Sequence, residues 1–350
     1  MPSTTDAPRV TIRSLIAALP ESCYENPTWK GLAYFARDVV IYGALVAALL
    51  LTDQPLLLLC LWPMAGLAIS ALFVLGHDAA HSALFASVRL CRWIGQLAML
   101  PSLHGYDAWA LGHNRIHHVH TACEGLDFVW HPVTKPQYDA ASRLRQLLHR
   151  VEWSVWGAGL YYLRAIWWER LVRVVPPERF RAGFRRGRLI VGVYAVAASA
   201  ALFAVGVVRY GSFGGGVWMW VKVFLLPWLC WNHIIGATVY VHHIGPNFIW
   251  RRRDDWTRVT AQLDATSNLL MPRWYNFFVH NIYWHVPHHV DPRIPFYNLP
   301  RAAAVLEREA GSRVAPRRFA LRDYVRTTRQ CKLYDFERGV WSGYDGVPRS

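Results

Sequence analysis

Leu189–Val208 reads LIVGVYAVAASAALFAVGVV, without a single charge. An α-helix needs about 20 apolar residues to cross a bilayer. Pro55–Gly76 is a second such run. A soluble chain of 350 residues can bury a large core but does not need uncharged runs this long. Leu32–Leu51 and Val217–Val241 are also apolar, with Arg37 and Asp38 near the entry of the first and Lys222 near the outer end of the second. Charges so placed can reach the interface, and Lys222 is expected to snorkel. The expected fold class is an all-α integral membrane protein of one domain, 1–350, with four transmembrane helices over about 32–51, 55–76, 189–208 and 217–241.

The spans pair as two hairpins. Thr52-Asp53-Gln54-Pro55 closes the first and Arg209–Gly216 (RYGSFGGG) the second, and Arg209 is the one basic residue in these turns. Nearly all of the 38 Lys and Arg fall elsewhere, so the positive-inside rule places both termini, the middle region 77–188 and the tail 242–350 in the cytoplasm. That side carries a helical cap with every histidine box. A net charge of +15 also admits nucleic acid as a partner, but there is no zinc finger, recognition motif or low-complexity basic run, so the expected contact is with membrane lipids. The six cysteines form no C-x-x-C, which argues against a disulfide framework or a thiolate metal site.

The lead Met1–Lys30 reads as soluble. Its start, MPSTTDAPRV, lacks the apolar core of a signal peptide, and Thr11–Leu19 reads as a short amphipathic helix stopped by Pro20. Leu144–Arg173 has an apolar stripe interrupted by arginines. It reads as one helix lying in the headgroup plane, although burial in the protein's own core would give the same pattern. The tail from Ile244 reads as basic and soluble with short helices, and most of the 18 Trp as an interfacial belt.

Three histidine boxes carry the chemistry. The first is His77-Asp78-Ala79-Ala80-His81, directly after the second span. The second is His113-Asn114-Arg115-Ile116-His117-His118, with His120 an alternative ligand to His113. The third is His285-Val286-Pro287-His288-His289. Residues three and four apart share a helix face, so each box projects its imidazoles together. Eight histidines exceed what one ion accepts, and a two-metal site is the natural reading. Imidazole suits zinc, copper, iron and nickel alike. The boxes lack cysteine, which disfavours structural zinc, and haem histidines would sit singly within spans. Iron with oxygen fits best. Tyr240-Val241-His242-His243 ends the fourth span on the same side, and one of its two histidines can face the metals.

H-D-x-x-H, H-x-x-x-H-H and H-x-x-H-H over two hairpins of spans resemble the membrane fatty acid desaturase family, from near Thr11 to about Leu306. Leu19-Pro20-Glu21-Ser22-Cys23, then Arg37-Asp38, is similar to the Δ12/ω-6 acyl-lipid branch, as is the third box continuing into Ile294-Pro295-x-Tyr297-Asn298-Leu299. Trp109, Asp127, Trp130 and Pro132 fit as well. Three features depart from that branch: box two has three residues between its first histidines where two are common, Ala110 stands where Arg is frequent, and Ala79 where Cys is frequent.

The resemblance implies two iron ions held by His77, His81, His113, His117, His118, His243, His285, His288 and His289. It picks His243 over His242 through its Y-x-x-H pattern. It implies O2 as co-substrate and an acyl chain on a lipid or another carrier. It also implies electrons from a separate ferredoxin or cytochrome b5 type donor, because no H-P-G-G motif is fused here. A hydroxylase, acetylenase or carotenoid ketolase shares the scaffold. A metal transporter or sensor would instead place its ligands mid-span. Asp78, Asp127 and Asp264 are candidates to orient imidazoles, with capping or surface roles the alternative, especially for Asp264. His131 and His149 read as interfacial, and His104 and His280 have no clear assignment.

Overall fold

The computed structural model describes residues 10–349; the start of the polar lead, Met1–Arg9, and the last residue lie outside it, and with them both chain termini. Four helices are long and apolar enough to cross a membrane. They are α1 (Thr28–Leu51), α2 (Pro55–Ala80), α3 (Arg181–Tyr210) and α4 (Phe213–His243). Each overruns its expected span, so box one forms the last turn of α2, and His242 and His243 the last turn of α4.

Helix α2 packs against both α1 and α4, and α3 packs on the first part of α4. Every residue of α2 from Ala65 to Ala79 is buried. By contrast α3 turns Val193, Val196 and Val208 outward, as a helix facing lipid does. Small residues allow the close packing that membrane helices use. A Cβ on Gly236 of α4 would lie 2.2 Å from the Ala158 carbonyl oxygen, so the 158–161 turn rests directly on the α4 backbone.

Two expectations about span charges are corrected. Lys222 does not snorkel. It is fully buried, and its Nζ donates to Asp53 Oδ1 at 2.8 Å, Tyr210 Oη at 2.9 Å and the Thr52 carbonyl at 3.0 Å. Asp53 also accepts from Arg209 at 3.0 Å, so the two short turns are tied together at one end of the bundle. Asp38 does not reach the interface either. It is buried, with His280 Nε2 2.6 Å from Oδ2 and Arg37 Nε 2.8 Å from Oδ1. Pairing offsets the desolvation that would otherwise expel such charges.

The segment 144–173 is not one helix. A helix over Arg143–Glu152 stops, and a second starts at Ala158 and continues as a π-helix over Tyr162–Val172. Gly157 makes the break, because a side chain there would collide with the Val151 carbonyl. The first piece leaves Leu144, Leu147 and Val151 exposed, which suits the headgroup plane. The second buries Tyr161, Tyr162, Ile166 and Leu171 in the core. One stripe therefore served two environments.

The lead helix Ile12–Ala18 is capped by Thr11 and buries Ile12 and Leu15. The tail carries short helices and two small sheets joined by loops, so the chain is mostly rather than wholly α. Leu269–Leu270 pairs in parallel with Arg317–Arg318, and Leu333–Asp335 antiparallel with Val340–Ser342.

Candidate metal centre

Box two is carried by a π-helix, Ala110–His117, set between short α-helical turns. The His118 amide donates to the His113 carbonyl, an i→i+5 bond. A π turn holds about one residue more than an α turn. The sequence reading put His113 and His117 together on one α-helical face. His113 and His118 meet, with Nε2 atoms 3.0 Å apart, while His117 stacks beside His113 at 5.4 Å between ring centroids but turns its Nε2 to His243. The extra residue in this box is thereby absorbed, and H-x-x-x-H-H in a π turn presents its rings much as H-x-x-H-H does in an α turn.

The nine expected histidines fall into two buried or half-buried groups. His77, His81, His113, His118 and His288 bring one nitrogen each within 4.8 Å of one another. His117, His243 and His289 do the same. His285 adjoins the second group, its Nε2 3.0 Å from His243 Nε2. His120 stands apart, partly exposed beside Trp256. His242 is buried, stacks on His285 with ring centroids 3.9 Å apart, and lines the apolar cleft described below.

The hydrogen bonds outside the groups assign where the ring protons lie. His77 Nδ1 faces Asp78 Oδ1 at 3.0 Å, and His117 Nδ1 faces Asp127 Oδ1 at 3.0 Å. His289 Nδ1 faces Gln262 Oε1 at 2.7 Å, and His243 Nδ1 faces the Ala265 carbonyl at 3.3 Å. Each partner is an acceptor, so these four rings carry the proton on Nδ1 and turn an Nε2 lone pair inward. His117 Nε2 and His243 Nε2 then oppose each other at 3.2 Å, lone pair to lone pair. Nε2 of His81 and of His289 are buried with no hydrogen-bond partner. Such an arrangement is unfavourable on its own and resolved by a cation. Spacings near 3 Å are those of adjacent donors each held about 2.1 Å from one ion.

Burial first, and neighbouring imidazoles second, hold His81, His113, His118, His285, His288 and His289 well below the ordinary imidazole pKa. Neutral imidazole is the ligating form. The donor set is all nitrogen, so it fits a first-row transition metal in each group.

A cleft reaches the same imidazoles from within the bundle. It holds ≈ 810 Å³ of non-atom space, including the part open to solvent, and Phe73, Val74, Ile235, Val239, Val279 and Ile282 line it up to His77, His113, His117, His242, His243 and His285. An apolar cleft ending at a histidine cluster is suited to hold a hydrocarbon chain against a metal held there.

The family model described as Fatty acid desaturase matches residues 54–320, across both histidine groups and all but the first span. The chain belongs to the fatty acid desaturase family. The desaturase is 30% identical over 345 residues to an sn-1 oleoyl-lipid 12-desaturase of Picosynechococcus sp., covering 96% of this chain and 93% of the relative. It is 29% identical to an sn-1 oleoyl-lipid 12-desaturase of Synechocystis sp., covering 97% and 93%. It is 28% identical to a chloroplastic omega-6 fatty acid desaturase of Glycine max, covering 95% and 75%. Membership makes it an oxidoreductase, and the four apolar helices associate it with the membrane.

Among the aspartates, Asp78 and Asp127 of the desaturase orient imidazoles as expected. Asp264 instead pairs with Arg313 at the surface, 2.8 Å away. Sequence reasoning missed Gln262, whose Oε1 holds His289 while its Nε2 donates to the His118 carbonyl at 2.9 Å. A lone glutamine carries no motif to flag it. His104 is buried between the Ser102 carbonyl and Tyr162 Oη, and His280 belongs to Asp38. His131 and His149 are half-buried and join neither histidine group: His131 accepts from the Gly125 amide, and His149 stacks on Trp153.

Asp127→Asn is expected to weaken metal retention about 10- to 100-fold. Its two oxygens accept from the Val129 and Ala122 amides as well as from His117, so an amide NH2 must oppose a donor. Metal content after dialysis against graded chelator measures it; retention equal to wild type would leave Asp127 a purely structural residue.

Proposed function

We propose that this desaturase introduces a double bond into an acyl chain carried on a membrane lipid, in the Δ12/ω-6 manner, with O2 as co-substrate. The observation that carries the reading is the apolar cleft ending at imidazoles of both groups. The names of the cyanobacterial relatives support an oleoyl lipid as substrate. His77, His81, His113, His118 and His288 would hold one iron, and His117, His243, His285 and His289 the other. Bound iron would supply the one-electron and O2 chemistry that side chains lack. The chain's own residues do the rest. Phe73, Val74, Ile235 and Val239 grip the methylene chain and exclude water. Asp78, Asp127, Gln262 and the Ala265 carbonyl fix the ring protons on Nδ1. A cavity lined by His118, His120, Trp256 and His289 approaches from another side and suits electron delivery by a separate ferredoxin or cytochrome b5 type donor. Expression in a host without polyunsaturated lipids, with acyl chains profiled by mass spectrometry, tests the activity. A new diunsaturated chain is expected; a hydroxylated or acetylenic product, or none, overturns the reading.

Two irons per chain are expected in active protein. Elemental analysis beside activity checks this, and a ratio near one, or full activity with zinc alone, refutes it. The spans are proposed to run as two hairpins, with both histidine groups and both termini in the cytoplasm as a cap and the chain as a single domain. Arg251–Arg253 then faces the cytoplasm and Gly211–Gly216 the outside, from the charge asymmetry of the loops. A cysteine placed at Ser212 should react with an impermeant reagent only from the outer side of sealed vesicles. Labelling only from the cytoplasmic side would reverse the topology.

A further inference from the structure

Independently of the acyl chemistry, we propose that a cavity between the box-two helix and the start of α3 binds the anionic headgroup of a membrane lipid. Arg92, Arg115, Arg179 and Arg186 line it, and Asp107 is the one carboxylate among its described lining residues. The cavity holds ≈ 1200 Å³ of non-atom space, including the part open to solvent. Asp107 is engaged by Arg92 and, at 3.4 Å, by Arg186. Three positive charges remain uncompensated. Arg115 and Arg179 have no ion pair among the described residues; their guanidinium carbons lie 5.7 and 4.8 Å from the Phe180 ring centroid. Guanidinium groups held on an aromatic ring keep their N–H edges free, and those edges match phosphate or sulfonate oxygens.

The depth is that of a headgroup. The uncharged run of α3 begins at Leu189, and the basic stretch Arg181–Arg188 precedes it directly. Leu111 and Phe180 give the cavity an apolar wall beside its arginines. Basic pockets between membrane helices are a recurring way to hold anionic lipids. A concave site of this size suits a headgroup better than the surface of an acidic protein.

The occupant is not the reacting chain. Trp109, His113 and His117 line the acyl cleft, whereas Asp107, Ala110, Leu111 and Asn114 line this cavity from the other side of the same helix. Asn114 Nδ2 donates to the Ala80 carbonyl at 2.7 Å, and both residues sit between box histidines in sequence. A headgroup seated here would brace the helix that presents His113, His117 and His118.

The test uses the full-length, iron-loaded protein in nanodiscs of phosphatidylcholine with a minor fraction of phosphatidylglycerol, reading retained lipid by native mass spectrometry. Wild type should retain phosphatidylglycerol selectively. Arg115→Ala with Arg179→Ala should lower that retention about tenfold or more, from the attraction lost with two arginines. Arg143→Ala with Arg145→Ala removes the same charge from another exposed helix and should change it little. Unchanged iron content and melting temperature certify folding; if the double variant fails there, Arg179→Gln alone is read, with a smaller drop expected. Equal losses in the two double variants, or no preference over phosphatidylcholine, overturn the proposal. So does stabilisation by inorganic phosphate alone that matches the lipid, which would make the ligand a free anion. Full lipid retention in the Arg115/Arg179 variant with slowed reduction by an electron donor would assign the cavity to an acidic protein instead, and also overturns it.

Discussion

His243→Ala is expected to empty the second histidine group of metal and to lower desaturation by more than about 100-fold, beyond what loss of an orienting partner costs. Its Nε2 lies 3.2 Å from that of His117 and 3.0 Å from that of His285, so it stands between two other inward-facing donors. Its Nδ1 is already committed to the Ala265 carbonyl. His242 is the control. It is equally buried and lines the apolar cleft, but it stacks on His285 and Tyr283 and faces no other ligand nitrogen among the described residues. His242→Ala should keep both metals and lower product by about tenfold at most, from looser support of a ligand ring. Bound iron and acyl product, measured for both variants, decide the matter. Iron lost from the His242 variant but kept by the His243 variant reverses the assignment, and iron kept by both takes α4 out of the site.

Ile235→Trp should abolish product while leaving the metals in place. Ile235 lies eight residues before His243, about 12 Å along the helix axis, and lines the apolar cleft. A tryptophan there fills the slot where methylene groups would run. Overpacking costs roughly 1–3 kcal/mol, within the 5–15 kcal/mol that holds a typical domain folded. The protein should therefore fold and load metal yet exclude the chain. Metal content near wild type with product below about 1% is the expected pair of readings, a loss of the order that follows from denying the substrate its position. An unaltered product profile would mean that the acyl chain travels elsewhere.

Much of this was legible in the chain because it depends on composition and short spacing. Length and lack of charge mark α2 and α3 as spans whatever they touch. Histidines at intervals of three or four advertise themselves, and all nine expected donors converge. What sequence could not carry was hydrogen-bond pattern and distant pairing. Nothing in Ala110–His117 distinguishes a π turn from an α turn, so the split of box two between the groups is invisible in sequence, although its extra residue is visible as a departure from the usual spacing. Lys222 meets Asp53 across 169 positions, and Asp38 meets His280 across 242, so each looked like an isolated charge near a span end. Gly157 and Gly159 are the local signs that 144–173 breaks, and glycines inside an apolar stripe do not by themselves announce a turn.

The tie among Asp53, Lys222, Arg209 and Tyr210 makes the bundle mechanically lopsided. At that end the connections are complete in the polypeptide itself, available from the moment of synthesis. At the other end the box-two helix is held to α2 through His77 and His113 and to α4 through His117 and His243, nitrogen facing nitrogen. If iron fills these groups as proposed, its delivery would double as the final tightening of the architecture, and the metal-free protein would be stiff at one pole and compliant at the other. Chaperone recognition, proteolytic nicking and hydrogen exchange in iron-starved cells should all concentrate at the compliant pole, along the box helices rather than at the short turns.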